Sequence, residues 1–544
     1  MFSSRFCVVV MLGAGPLAAL PSAQAGFPPP PVPVGNPQTP DKVLLGKALF
    51  WDEQLSSTRT MACGTCHVFA HGGADPRPAV APGRDGIEGT DDDVRGSAGV
   101  VRHDRRVRMH FDDAFGLQPR VTARRAPSVV NAAYAAELFV DGRAGGRFLD
   151  PVSGAVVLPQ HAALESQAAV PPVSEVEMAH FGRSWTEIAA DLPRLRPLAL
   201  ASNVPAALQQ FVAGQTYASL FQRVFGTPAV TPVRIVFAIA AYQRTLVSDQ
   251  SRYDLYLAGR VSLDAAEVRG LEKFKEFCLP CHHDIEPSSS GPVEVDYRNI
   301  GVRPVDEDVG RFAVTGDVRD RGRFRVPGLR NVALRAPYFH NGSALDLEQI
   351  LDFYSRGGDF ADNRDPLMDR LPGHIDNFDR VFLRRFLEAL TDPRVQQERP
   401  PFDRPTLWSE SAAAPVRVGE GTGPVGGRPP RIAFAAPGFA GRDFELGVDR
   451  VPAGIAAVLL LDVETRTRPL RVLGLDLHLA LTPALVVLPA PRPTWGRGPD
   501  DGRVVFRLRL PPTGGVAFAG EWLALDGRGP SGLTSSGALS VPVF

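Results

Sequence analysis

Four of the five cysteines stand in two copies of one pattern, Cys63-Gly64-Thr65-Cys66-His67 and Cys278-Leu279-Pro280-Cys281-His282. Two thiols three positions apart on a helical turn can each add to a vinyl group of one porphyrin. The histidine that follows is then held beneath the iron as its axial ligand. A Cys₄ zinc site or a pair of redox dithiols would also use C-x-x-C pairs. Neither requires a histidine directly after both pairs, and neither explains why every cysteine beyond the first 25 residues is used this way. The pattern therefore predicts two covalently attached haems c per chain.

Such attachment is carried out on the export side of a membrane, and the start of the chain agrees. Arg5 supplies positive charge, Phe6 to Leu20 is almost wholly apolar or small, and Ala23-Gln24-Ala25 offers a small-x-small cleavage site before Gly26. This is the plan of a secretory signal peptide over residues 1–25. Its apolar run is shorter than the roughly 20 residues of a membrane span. No later stretch is long and apolar enough to span either. The expected location is periplasmic or secreted. A formal net charge of −1 argues against nucleic acid as a partner, since a phosphate footprint needs a basic excess.

At 544 residues the chain exceeds one core, and its character changes along its length. Residues 26–39 are proline-rich and read as an extended tether. An N-terminal haem c domain is expected over 40–259, with a short helical lead Leu44 to Phe50 into the first site and a helix Pro232 to Leu257. A C-terminal haem c domain is expected over 260–391. In it Ser262 caps a helix from Leu263, on which Leu271, Phe274 and Phe277 lead into Cys278, and the helix Asn377 to Leu390 closes the unit. Residues 392–428 read as a linker. From 429 to 544 the pattern has period two: Leu475, Leu477, Leu479 and Leu481 alternate with Asp476, His478 and Ala480. Val504, Phe506, Leu508 and Leu510 repeat the alternation, which predicts a β-sandwich. The fold class is thus mainly α, two cytochrome c-like haem domains followed by an all-β sandwich-like domain.

Several ordered motifs then become recognisable. Phe324-Arg325-Val326-Pro327-Gly328-Leu329-Arg330-Asn331-Val332 is followed by Ala336-Pro337-Tyr338-Phe339-His340-Asn341-Gly342. The first unit adds Arg124 to Ala133, Asp141-Gly142-Arg143-Ala144 and Glu165 to His180. Together they resemble the bacterial dihaem cytochrome c peroxidases and MauG-type enzymes over about residues 40–391; the β region lies outside the likeness. The resemblance implies that the haem on His67 meets hydrogen peroxide and that the haem on His282, near His340, passes or stores electrons. It also implies that Gln167, Pro171 and Glu177 form the distal pocket of the first haem. Heterolysis of peroxide needs a proton to leave one oxygen and arrive on the other. A carboxylate can shuttle it while an amide orients the substrate. Glu177 is the expected acid–base residue and Gln167 its assistant.

The departures from the family pattern also carry meaning. Where the peroxidases place a methionine on the second haem, this chain has Tyr354, as the MauG-type enzymes do; Met368 is the rival ligand. A phenolate stabilises ferric iron, whereas a thioether raises the potential. No histidine stands in the loop around Leu117 and Gln118 that should supply a distal ligand to the first haem, and His71, His103 and His110 lie outside that context. Val140 replaces the usual inter-haem tryptophan, and Arg125 an asparagine of the family's calcium site. Asp85, Asp91, Asp92 and Asp93 form either a calcium loop or a solvated acidic one. The expected partners are peroxide and either a small electron-donor protein or an oxidised protein substrate. The alternative function is a non-catalytic dihaem electron carrier. Alkaline pyridine spectra should report two haems c per chain, and Cys63→Ala or Cys278→Ala should each lose one. A preparation holding zinc and no haem would refute the reading.

Overall fold

The first haem unit starts where Thr39 accepts the Lys42 amide at 3.3 Å and Pro40 occupies the first turn of a helix, Pro40–Trp51. A cap of this kind satisfies an orphan N–H, and proline is tolerated there because its missing donor is not needed. This computed structural model describes residues 27–83, 85–283, 296–490 and 493–544. The expected signal peptide lies outside them.

The helix buries Leu45, Leu49, Phe50 and Trp51 against a second helix, Pro232–Gln243. The two meet at Gly46, where a side chain would collide with the Ala238 carbonyl. The second unit repeats the device: Ala265–Phe277 crosses Asn377–Ala389 at Gly270, against Phe382 and Phe386. Its cap is Asp264, not the expected Ser262. Asp264 accepts the Glu267 amide at 2.8 Å and Glu267 accepts the Asp264 amide at 2.7 Å, a reciprocal box that serine at 262 cannot make. The expected helix Pro232 to Leu257 is two, Pro232–Gln243 and Arg252–Leu257. Between them the Ser248 amide donates to the side chain of Asn131 at 2.7 Å, and Ser251 caps the second helix.

The units are related by an internal repeat offset by 200 residues, Asn131 to Ala144 matching Asn331 to Ala344. Asn131 and Asn331 both have φ of 61° and each starts a 3₁₀ turn, Ala132–Tyr134 or Val332–Leu334. Phe139 and Phe339 share positive φ, and bridges Leu138–Ala144 and Tyr338–Ala344 close the two loops. The repeats face each other. The Arg325 amide donates to the Val140 carbonyl at 2.7 Å, and the Arg125 amide to the His340 carbonyl at 2.8 Å.

The C-terminal region is a two-sheet sandwich. One sheet runs Val486–Pro489, Ala457–Asp462, Val516–Ala524, Ala538–Val543, Val416–Val418; the other runs Gly502–Arg509, Asp443–Val451, Arg431–Ala433. Leu446, Val448, Leu459, Trp522, Leu539 and Val541 fill the space between them. Leu475, Leu477 and Leu479 are buried on one strand, Leu475–Leu479, as their alternation predicts.

Three expectations change. Helix accounts for 28% of residues and strand for 19%, so "mainly α" overstates the chain; the sandwich and short hairpins in the haem units supply the strand. Residues 392–428 are no linker: Val395, Phe402 and Leu407 are fully buried in the core of the first haem unit, and Val416–Val418 is an edge strand of the sandwich. Isolated apolar anchors among prolines and charges have no period to betray them. The proline-rich tether is also laid down on the protein. Asn36 is fully buried and donates to Glu165 at 2.8 Å, while the Pro28 carbonyl accepts from Tyr134 at 2.7 Å.

Inside the sandwich Glu521 is fully buried; the His478 and Leu479 amides donate to its Oε2 at 2.9 and 3.1 Å. Burial raises its carboxyl to about 7. A raised acid stabilises the fold below its unfolded value, and that contribution is lost as pH climbs toward 7. Glu521→Gln should therefore leave stability nearly unchanged at pH 4.5 and raise it by about 1–3 kcal/mol at pH 8, read from melting curves at both pH values. A gain that is equal at both would refute the assignment.

Candidate functional site

Each attachment histidine is oriented by a carbonyl from its own unit. His67 Nδ1 donates to Gly73 O and His282 Nδ1 to Pro327 O, both at 3.1 Å. This fixes the tautomer in which Nε2 is the free ligand atom, the usual outer-sphere arrangement around a metal. Gly73 reaches its position at φ 77°, in the left-handed region that glycine enters freely. The Cys63–Cys66 turn lies against the Trp51 indole, with Gly64 leaving no room for a side chain. Trp51 in turn donates to Tyr242 at 3.2 Å. All four thiols are free, and burial pushes Cys63 and Cys278 up to about 12.

A cavity of ≈790 Å³ is lined by Cys278, Cys281, His282, His340, Tyr354 and Met368 of the second unit, and on its other side by residues of the first, among them Arg125 and Val140. That volume lies within the ~300–1,000 Å³ of small-molecule and cofactor sites. Thiols, an oriented imidazole and an apolar cavity together fit a covalently held haem. Tyr354 projects from the helix Leu347–Ser355, and Met368 from a 3₁₀ turn, Pro366–Arg370. Burial raises the Tyr354 phenol, so its ionisation depends on a positive charge beside it. Met368 is packed into the core of the unit, whereas Tyr354 is only partly buried. His340 stacks on Phe324 with ring centroids 3.8 Å apart, and burial lowers it to about 4.

The first site gathers residues far apart in sequence. Gln167 lies on the helix Ala163–Ala168, Pro171 opens the turn Pro171–Val173, and the Glu177 amide donates to Ser174 O at 3.1 Å. The charge of Glu177 is felt at both Cys63 and Cys66. Burial raises its carboxyl above the ordinary range, against the pull of Ser174 and of Arg143. Arg143 belongs to the Asp-Gly-Arg motif.

The three histidines near the first site in sequence, His71, His103 and His110, are engaged elsewhere or lie at the surface. His103 spends both nitrogens, on Ser57 Oγ at 2.8 Å and Val101 O at 2.7 Å. His71 is exposed, and His110 lies 3.7 Å from Asp104 near the surface. Arg77, Asp75 and Asp308 carried no sequence signal, and Arg124 and Asp141 stood in recognised motifs without a role. Arg77 donates to Cys66 Sγ at 3.2 Å and to Asp75 at 2.7 Å. Arg124 bridges Asp141 at 2.6 Å and Asp308 at 2.5 Å across the seam between units. The calcium readings do not fit. Arg125 places its guanidinium on the Asp75 and Ala336 carbonyls, and Asp85, Asp92 and Asp93 hold backbone amides and Thr90 within their own loop. Among the described residues no group of three or more acids, histidines or cysteines could hold a metal ion.

Comparison with known proteins agrees with this geometry. Residues 40–262 match the model of the di-haem cytochrome c peroxidase family. The cytochrome c551 peroxidase of Pseudomonas aeruginosa is 31% identical over 58% of this chain and 72% of its own length. The chain belongs to the di-haem cytochrome c peroxidase family. The methylamine utilization protein MauG of Methylorubrum extorquens is 29% identical, over 66% of this chain and 81% of its own. The crystal structure of a MauG-like protein associated with microbial copper homeostasis is 26% identical and superposes with a TM-score of 0.50, covering 72% of this chain and 99% of that one. As a family member the protein is a peroxidase or MauG-type oxidoreductase with two haems c, acting on peroxide with an electron-donor partner. No helix among the described residues is long and apolar enough to cross a membrane.

Proposed function

We propose that this chain is an exported dihaem peroxidase in which Glu177 handles the proton of hydrogen peroxide at the first haem, with electrons drawn from a small redox protein or from an oxidised protein substrate. The observation that carries the reading is the placement of Glu177: its backbone packs on Gly99, beside Ala98, whose carbonyl accepts from the same Arg77 that donates to Cys66 Sγ. A raised carboxyl is suited to accept a proton from one peroxide oxygen and return it to the other. Gln167, ten residues earlier on the same segment, orients the substrate, and Pro171 fixes the turn between them. When bound, the haem supplies the redox centre and Lewis acid for O–O cleavage. His67 would hold the first haem's iron and His282 that of the second. Residues 1–25 direct export. A carrier without catalysis has no use for a half-buried carboxylate of raised proton affinity at one of its two sites.

Glu177→Gln should keep both haems and slow peroxide consumption by roughly 10²-fold, the scale of general acid–base assistance. An unchanged rate would overturn the assignment.

Tyr354 bears on which oxidoreductase this is. As phenolate ligand of the second haem it holds the ferric state, which disfavours ordinary donors and favours storing an oxidising equivalent for a difficult substrate. Tyr354→Phe should then open that iron to exogenous ligands, and Tyr354→Met should raise its potential. If Met368 is the ligand instead, Met368→Ala opens the iron and the Tyr354 variants leave the spectrum alone.

A further inference from the structure

The C-terminal sandwich lies outside the family match, yet it is built onto one part of the first haem unit. That part is the loop 102–118, between the paired strands Ala98–Val101 and Pro119–Val121. On one limb the Met109 amide donates to Glu445 at 2.7 Å. On the other the Leu117 amide donates to Asp449 at 2.7 Å, and Arg417 donates to Gln118 at 2.6 Å. Asp449 is 1% exposed and is itself held by Arg431 at 3.0 Å. Shape agrees with charge. Gly447, in the middle of Asp443–Val451, leaves the space taken by Leu117 and Met109, which a Cβ would meet at 2.7 and 3.2 Å. The Arg503 guanidinium lies 3.7 Å from the Phe111 ring.

The opposite side of the same hairpin touches the segment that carries Glu177. The Val100 amide donates to Val176 O at 3.0 Å, and the Phe181 amide to His103 O at 3.2 Å. Gly99 is packed so closely on Val176 and Glu177 that it admits no side chain, and Arg120 donates to Glu175 O. Ser57, bonded to His103, also donates through its amide to Met178 O at 2.9 Å. The hairpin is thus a single layer with the sandwich on one side and residues 175–181 on the other.

We infer that the sandwich is a positioning domain for the first site: through Asp449 it fixes the loop 102–118, and through that loop the backbone bearing Glu177. The inference extends the reading of Glu177 as the acid–base residue, and Asp449 is a positioning residue, not a catalytic one.

Asp449→Ala in the full-length holoprotein tests it. Amide hydrogen exchange should quicken by about tenfold or more in 109–118 and also in 174–181, with residues 331–390 unchanged. Peroxide turnover should fall about tenfold in kcat with KM little altered, since small misplacements of a reacting group carry costs of this order. Asp449→Asn, which keeps an acceptor for the Leu117 amide, should restore most of both. If Asp449→Ala does not accumulate with its haems, Glu445→Ala with Gln118→Ala removes the Met109 and Arg417 contacts and leaves the Asp449–Arg431 pair whole. Unchanged exchange in 174–181, or a loosened segment with unchanged kcat, overturns the inference. A loosened 174–181 beside a fully active Glu177→Gln upholds the clamp and refutes the catalytic reading instead.

Discussion

Two backbone hydrogen bonds hold the haem units in register, Arg325 N–H to Val140 O and Arg125 N–H to His340 O. The two bonds are counterparts of each other under the 200-residue offset, Arg325 matching Arg125 and Val140 matching His340, so the seam has the reciprocal form of a two-fold interface, where residue i meets j and j meets i. Arg124 reinforces it by taking Asp141 from its own unit and Asp308 from the other. Guanidinium forks suit such a bridge because they serve two carboxylates in fixed geometry. The repeat explains the contrast of Val140 with His340: they occupy one structural position, and only the second-unit copy is aromatic. It stacks on Phe324 and faces the cavity of its own unit.

The cavity makes the group it accommodates part of the fold. The cavity of ≈790 Å³ is partly open and draws its lining from both units, with Arg125 and Val140 beside His282 and Tyr354. An apolar group seated there adds contacts to the short core of the second unit, built on Leu271, Phe274, Leu383 and Phe386. Attachment through Cys278 and Cys281, as proposed, would keep that group from leaving when the unit breathes. The first unit buries far more of its own chain, including Phe402 and Leu407 from beyond the second haem unit, and so closes the circuit between the two ends of the haem region.

The chemistry was legible in the sequence because it is local. A C-x-x-C-H run carries its ligands within five residues, and the capped helices leading into both sites announce themselves by apolar spacing. The Glu177 segment became readable only through likeness to known enzymes, since one glutamate among many has no signature. What could not be read was distance. Asp449 and Leu117 lie 332 positions apart, and nothing in either stretch marks the other. The same holds for Arg124 with Asp308. Ser248 to Ser251 broke an expected helix because Asn131, from another part of the chain, takes a backbone amide there. Residues 392–428 misled for a different reason: their few buried anchors are separated by prolines and charges, so composition spoke louder than packing.

The route of the loop 102–118 also accounts for the missing distal histidine. A loop that supplies a ligand must keep one limb free to approach the iron. Here both limbs donate backbone amides to buried or half-buried carboxylates of the sandwich, at Met109 and Leu117. His103, at its start, is neutral at ordinary pH because burial lowers it to about 4, and both its nitrogens are engaged. To bring any histidine of this loop to the first haem would take the Leu117 amide from Asp449 and the Met109 amide from Glu445, and would lift Leu117 and Met109 out of the space left by Gly447. On the proposed function, the sandwich therefore holds the carboxylate side of the first site in place by tying down both limbs of the loop 102–118.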